Sequence, residues 1–124
     1  MIYLDTHVLV RLYLGDADEL GMAARRAIEE QELLVSPAAV LELELLHEIG
    51  RLRPTASAVV GALADDMGLR VCDLPFRTVV DQALREAWCR DPFDRLIVAN
   101  ARANDAPLVT KDEKIHRHYP RAVW

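Results

Sequence analysis

The feature that most limits the fold of this chain is an alternation of very short apolar runs with longer helical stretches. "MIYL" (residues 1–4), "LLV" (33–35), "LRVC" (69–72) and "PLVT" (107–110) read as strands, with "AVW" (122–124) a candidate fifth. Runs this short, apolar throughout, suit strands of a parallel sheet buried on both faces. Between them the spacing predicts helices over residues 7–14 and about 18–31. Ser36 as N-cap and Pro37 in the first helical position open another that runs to about Ile49, where Gly50 stops it. Pro54 opens the next, which reaches about Met67 and ends at Gly68. "PFRTVVDQALREAWC" (75–89) and "PFDRLIVANARAN" (92–104) read as two more. Strands alternating with helices predict an α/β domain around a central, mainly parallel sheet of four to five strands. With no repeat, linker or low-complexity tract, residues 1–124 read as one domain, long enough to bury a real core.

Charge and composition narrow the function classes. The formal net charge of −5 argues against holding nucleic acid by bulk electrostatics, but leaves room for an enzyme with a local basic rim. Cys72 and Cys89 fit no metal spacing and are too few for a disulfide framework, so they read as core thiols in a reducing compartment. The apolar start is interrupted by Asp5, His7 and Arg11 and lacks the basic region and cleavage site of a signal peptide. No stretch approaches the ~20 apolar residues of a membrane span. The expectation is a cytoplasmic chain with no membrane association.

The informative residues are carboxylates. In an open parallel sheet, sites form at the carboxyl ends of the strands, near a topological switch point. Asp5 directly follows "MIYL" and Asp112 lies two residues past "PLVT". Along its helix, Glu42 has Leu45, Leu46 and Ile49 at i+3, i+4 and i+7, so it borders an apolar face, whereas Glu44 looks outward as an ordinary solvated charge. Asp94 repeats the pattern with Ile97, Val98 and Ala101, while Arg95 turns to the outer side, where it pairs with surface carboxylates or contacts substrate. "RDPFDR" (90–95) makes Asp91 the N-cap and Pro92 the first helical residue, with Phe93 a packing residue. Each acid has an ordinary explanation, since Asp caps helices and a carboxylate suits a helix N-terminus. Together, Asp5, Glu42, Asp94 and Asp112 come from four segments and point toward one end of one sheet. Gathered without a counter-charge they would raise one another's pKa values. A divalent cation resolves the conflict. Oxygen ligands with no His or Cys cluster favour Mg²⁺, or Mn²⁺, over zinc. Such a cage supports activation of water for in-line attack on a phosphodiester.

These residues resemble the PIN-domain family, and within it the VapC toxins of bacterial toxin–antitoxin pairs. The resemblance rests on "IYLDTHVL", "SPAAVLELELL" with Glu42 six residues after Ser36, "RDPFDRLIVANA" and "PLVTKDEKI", in that order over nearly the whole chain. It implies a three-layer α/β/α domain and an Mg²⁺-dependent ribonuclease with an acidic cage at the carboxyl end of the sheet. By position, Asp5, Glu42 and Asp94 match the family's three central acids and Asp112 the more variable fourth. Thr6 and Thr110 match hydroxyl positions beside the cage, and Asp91 an additional acid of the "DPFDR" form. Many such members carry His where this chain has Cys89, so that role does not transfer. The resemblance also implies an RNA substrate, a VapB-like antitoxin that blocks the site, and a toxin homodimer.

An RNA substrate calls for a basic rim. "KDEKIHRHYPR" offers Lys111, Lys114, Arg117 and Arg121 interleaved with His116, His118 and Tyr119, which suits phosphate contact and stacking. It reads equally as a solvated tail before the last strand. "HRH" lacks further ligands for a metal site. Trp88 reads as core, and Trp124 as an anchor of the terminus or a dimer contact. Val59, Val60 and Leu63 pack inside or receive an antitoxin helix. Three rivals remain. A phosphoacceptor signalling domain would use Asp73 and the pair Thr110–Lys111, and leaves Glu42 and Asp94 unexplained. A haloacid-dehalogenase-like phosphatase needs a second acid where this chain has His7. A housekeeping RNA-processing nuclease is the nearer alternative.

Overall fold

The computed structural model describes residues 1–124. Five parallel strands form one sheet: β1 (Ile2–Leu4), β2 (Leu33–Val35), β3 (Arg70–Val71), β4 (Leu108–Val109) and β5 (Ala122–Val123), in the spatial order β3-β2-β1-β4-β5. The α/β reading and the strand count hold, and helices flank the sheet. Every residue of β1 and β2 is buried, as a sheet covered on both faces requires. Ile2, Tyr3, Leu4, Leu43, Ile97 and Leu108 are fully buried in one continuous core. Each contributes on the order of 2 kcal/mol by leaving water.

The helices are α1 (Thr6–Leu14), α2 (Met22–Glu30), α3 (Pro37–Glu48), α4 (Ala56–Met67), α5 (Phe76–Ala83), α6 (Pro92–Ala103) and α7 (Glu113–His118). Sequence punctuation sets most of their ends. Ser36 caps α3 through Ala38 N–H, with Pro37 in the first turn as expected. Asp91 caps α6. Gly15 and Gly68 close α1 and α4 at φ 77° and 71°, a left-handed geometry that a side chain resists. α3 and α4 pack as a pair against α1, which buries Val59 and Leu63 and half-buries Val60 in the core. Of the two alternatives for these side chains, Val59 and Leu63 take the first and pack inside.

Four local expectations fail for identifiable reasons. Residues 18–21 do not join α2; Ala17–Glu19 form a single 3₁₀ turn, and α2 starts after Gly21. Thr55, not Pro54, starts α4, accepting from Ala58 N–H. The helix expected over 75–89 stops at Ala83. Beyond it Glu86 is buried and accepts from Trp88 Nε1 at 2.6 Å and Arg102 Nε at 2.5 Å, bonds that outweigh continuing the helix. Trp88 is then only half-buried, stacked on His118 with centroids 4.6 Å apart. Finally, residues 113–118 form α7 rather than a loose tail.

Two charged residues also find partners that their helical faces did not reveal. Glu44 accepts from Ala56 N–H at the start of α4. Arg95 donates to the carbonyls of Ala83 at 2.7 Å and Cys89 at 3.4 Å, tying α6 to the end of α5. Cys72 and Cys89 are buried free thiols. No helix is long and apolar enough to cross a membrane.

Ser36 offers a stability test. Its hydroxyl accepts from Ala38 N–H and donates to the buried Asn100 Oδ1 at 2.7 Å. Ser36→Ala removes a cap and orphans Asn100, a loss of about 2 kcal/mol, against about 1 kcal/mol for the exposed cap Thr55→Ala. Urea midpoints at unchanged m-value measure both; equal losses contradict the role given to Asn100.

Candidate metal centre

The chain reverses direction across the sheet between β1 and β4. β2 and β3 lie on one side of β1, and β4 and β5 on the other. This is the switch point, and a cleft of about 430 Å³ opens at its carboxyl end, lined by Asp5, Thr6, His7, Arg11, Glu42, Asp94 and Asp112 among others. Asp5 arrives directly from β1 and caps α1 through Thr6 N–H, Oδ1 accepting at 2.8 Å. Its Oδ2 accepts from the Thr110 hydroxyl at 2.6 Å, across the β1–β4 pair. Asp94 comes from the first turn of α6, and Glu42 from the second turn of α3. One carboxylate oxygen from each of Asp5, Glu42 and Asp94 lies within 4.8 Å of the others.

The remaining residues singled out in the sequence fall around this triad. Asp112 lines the cleft but stands outside the tight cluster, and its Oδ1 caps α7 through Lys114 and Ile115 N–H. Thr110 accepts from Asp112 N–H while donating to Asp5. Asp91 spends Oδ1 on Phe93 and Asp94 N–H. Lys111, Lys114 and Arg117 are exposed on the segment after β4, and none lines the cleft.

Glu42 reaches the triad by a different route from the one its neighbours suggested. Leu45 and Ile49 are exposed, 38% and 65%, and the core side of α3 is carried by Ala39 and Leu43. The face shared by Glu42 and Leu46 is the cleft wall.

His7 and Arg11 carry no motif of their own and escaped notice as site residues. Helical i,i+4 spacing was the available signal. His7 Nε2 lies 3.4 Å from Asp5 Oδ2 and 3.1 Å from Lys111 N, and Nδ1 lies 3.1 Å from the Arg11 guanidinium. A neutral imidazole accepts at one nitrogen only, so the two donors compete for it.

Electrostatics mark the cleft as short of positive charge. Asp94 is pushed up to about 7 by burial and then by the charges of Asp5, Asp91, Glu42 and Asp112. Burial also raises Glu42, reinforced by Asp5 and Asp91. The nearby Thr6 hydroxyl, the one buried side-chain oxygen without a hydrogen-bond partner, opposes that rise. Burial alone would raise Asp5 too, but His7, the Thr110 hydroxyl and Thr6 N–H outweigh it and hold the carboxyl below its usual range. Three hard oxygen ligands, an orphaned hydroxyl and a carboxyl that keeps its proton near neutrality fit a divalent cation.

The family model for the PIN domain matches residues 2–120. The chain belongs to the PIN-domain family. A curated relative, ribonuclease VapC22 of Mycobacterium tuberculosis, is 34% identical over 99% of this chain and 98% of its own length. Among solved structures, VapBC2 from Rickettsia felis, bound to a DNA fragment from its promoter, superposes with a TM-score of 0.67 at 16% identity, covering both chains fully. A toxin–antitoxin complex from Klebsiella pneumoniae gives 0.67 at 17% identity, over 100% of this chain and 97% of that one. These structural matches show that this PIN domain shares their fold. The phosphoacceptor rival fails on topology, because such domains follow the order 2-1-3-4-5. Asp73 here follows an edge strand, away from the triad.

The charges make stability depend on pH. Asp94 titrates at about 7 when folded, against 3.8 ordinarily. Between those values the folded chain keeps a proton that the unfolded chain has lost, so stability falls as pH rises across this window. Glu42 acts in the same sense, whereas the stability from Asp5 is lost only below its ordinary value. The metal-free chain should lose a few degrees of Tm between pH 5 and pH 8, and Asp94→Asn should flatten the slope. Mg²⁺ should raise Tm more at pH 8 than at pH 5, because binding displaces that proton. Scanning fluorimetry reads all three; a flat wild-type profile refutes the assignment.

Proposed function

We propose that this chain is an Mg²⁺-dependent endoribonuclease, the toxin of a VapBC-type pair, with a VapB-like antitoxin as its partner. The observation that carries the proposal is the convergence of Asp5, Glu42 and Asp94 within 4.8 Å at the sheet's switch point. The kinship with a named VapC ribonuclease and with toxin–antitoxin complexes supports the substrate and the partner. Those relatives favour the toxin over a housekeeping nuclease, and a short adjacent reading frame encoding a DNA-binding antitoxin would separate the two. The homodimer belongs to the same reading, and sedimentation of the isolated chain tests it.

Asp5, Asp94 and Glu42 would hold the ion, and Mn²⁺ suits the same oxygens. Bound there, the ion supplies Lewis acidity toward a phosphodiester oxygen and lowers the pKa of water. Asp5 enters the site ionised and fixed, since Thr6 N–H and the Thr110 hydroxyl already orient its two oxygens. Each of those oxygens keeps a second lone pair for an ion. Glu42, half-buried on the cleft wall, would complete the cage or orient water beside the ion. Asp112 has its Oδ2 free to orient that water or complete the cage, and Asp91 contributes negative potential at the rim. The unpartnered Thr6 hydroxyl is available to donate to a phosphate oxygen.

Purified chain should cleave RNA with Mg²⁺ and stop with chelator. Asp5→Asn and Asp94→Asn should each lower the rate beyond the ~100-fold that outer residues of metal sites cost, and Asp112→Asn by about 10-fold. Gel-resolved cleavage of a structured RNA measures this. Undiminished cleavage by both Asp5→Asn and Asp94→Asn would mean a contaminating nuclease and end the proposal.

A further inference from the structure

Beside its carboxylates the cleft carries one built positive feature. Arg11 lines the same cleft as the triad, reaching it from the last turn of α1. Its guanidinium lies over the Trp124 ring, 5.5 Å from the centroid, and Lys111 Nζ lies 6.0 Å from that same centroid. His7 leans on the ring as well, with centroids 5.8 Å apart. Trp124 is closely packed against Gly21. A Cβ added to Gly21 would fall 2.4 Å from the Trp124 carbonyl carbon, and the preceding strand pairs with β4. One aromatic surface thus holds two cations beside the acidic cleft, each attracted to the ring face.

Packing alone does not explain this arrangement. An apolar neighbour would fill the space over Trp124 without placing two charged groups against the ring. Arg11 does bond Glu19, but that carboxylate is 61% exposed and such pairs exchange readily. Lys111 makes no ion pair at all. A polyanion, by contrast, needs such groups here. Four carboxylates face the cleft and one divalent ion cancels only half their charge, so a strand entering the site meets net repulsion unless the rim compensates.

We infer that Arg11 and Lys111, oriented together by the Trp124 ring, bind the backbone phosphates of single-stranded RNA on one side of the cleaved position; this rests on the ribonuclease reading above. The contacts are to phosphates, because both groups that the ring orients are cations. Of the basic stretch read from the sequence, Lys111 belongs to this pair. Lys114 and Arg117 sit on exposed α7 without an aromatic platform.

The test is binding of a fluorescein-labelled, mixed-sequence single-stranded oligoribonucleotide to Asp94→Asn chain, followed by anisotropy over a range of salt concentrations. Arg11→Gln and Lys111→Gln should each reduce the slope of log K against log salt by about 0.7, and the double variant by about 1.4. Gly21→Ala removes no charge, yet should also shallow the slope by displacing the ring. Lys111 is exposed, so its replacement leaves the fold intact, which circular dichroism confirms. Unchanged slopes in Lys111→Gln and Gly21→Ala overturn the inference. Wild-type cleavage with Mg²⁺, run in parallel, distinguishes the two failures. Cleavage with unchanged slopes removes only the phosphate contacts, while neither cleavage nor binding removes the ribonuclease reading and this inference with it.

Discussion

Parallel pairing of β1 with β4 is the constraint from which the rest of this molecule follows. It sets Leu4 against Val109 and delivers Asp5 N–H to the Val109 carbonyl at 3.0 Å. One residue beyond each strand, Asp5 and Thr110 are then joined by a 2.6 Å hydrogen bond. Crowded carboxylates repel, and only a scaffold stiffer than that repulsion keeps them together. Main-chain ladders buried on both faces are stiff in this sense, because opening them would leave N–H and C=O groups unpaired away from water.

The same carboxylates that crowd the cleft also begin helices. Asp5 caps α1, Asp91 caps α6 with Asp94 in its first turn, and Asp112 caps α7. The capping role and the site role are compatible, because a carboxylate has two oxygens with two lone pairs each. Asp91 and Asp112 commit one oxygen to backbone N–H groups and leave the other free. Unsatisfied N–H groups at a helix start carry partial positive charge, which lowers the cost of an acid there. Helix starts of α1 and α6 converge at the sheet's carboxyl end, so the fold lays down favourable potential where the acids gather. Asp94 shows that this relief is incomplete, since it stays near neutrality in its pKa.

What the sequence made legible was local. Strand runs, the Ser36–Pro37 start of α3, the Asp91 cap and the placement of Asp5 after β1 each follow from neighbours within a few residues. What it concealed depended on distant partners. Glu86 ends α5 by drawing in Trp88 and Arg102, sixteen residues further along in the case of Arg102. Arg95 and Glu44 looked solvated from their helical faces, yet each bonds backbone groups of another element. Glu42 was found through a pattern that pointed to the core, whereas its neighbours Leu45 and Ile49 are exposed. The charge was the sound part of that inference and the apolar face was not. Arg11, Lys111 and Trp124 meet only once the sheet is built.

The spacing of the triad is fixed from behind as well as from the sheet. Ser36 and Asn100 are bonded at 2.7 Å in the interior, and these two residues lie six positions from Glu42 and from Asp94 on α3 and α6. Asn100 also donates to Cys72 Sγ, which accepts from Tyr3 Oη at 2.9 Å, and Asn104 donates to that same phenol. One buried polar network therefore links β1, the starts of α3 and of the segment after β3, and α6. Apolar contacts between two helices tolerate sliding with little change in buried area, while hydrogen bonds of fixed length do not. Two carboxylates that must share one ion need their helices held to a fraction of an ångström. The precision of the cleft thus resides partly in uncharged amides and hydroxyls that never face it.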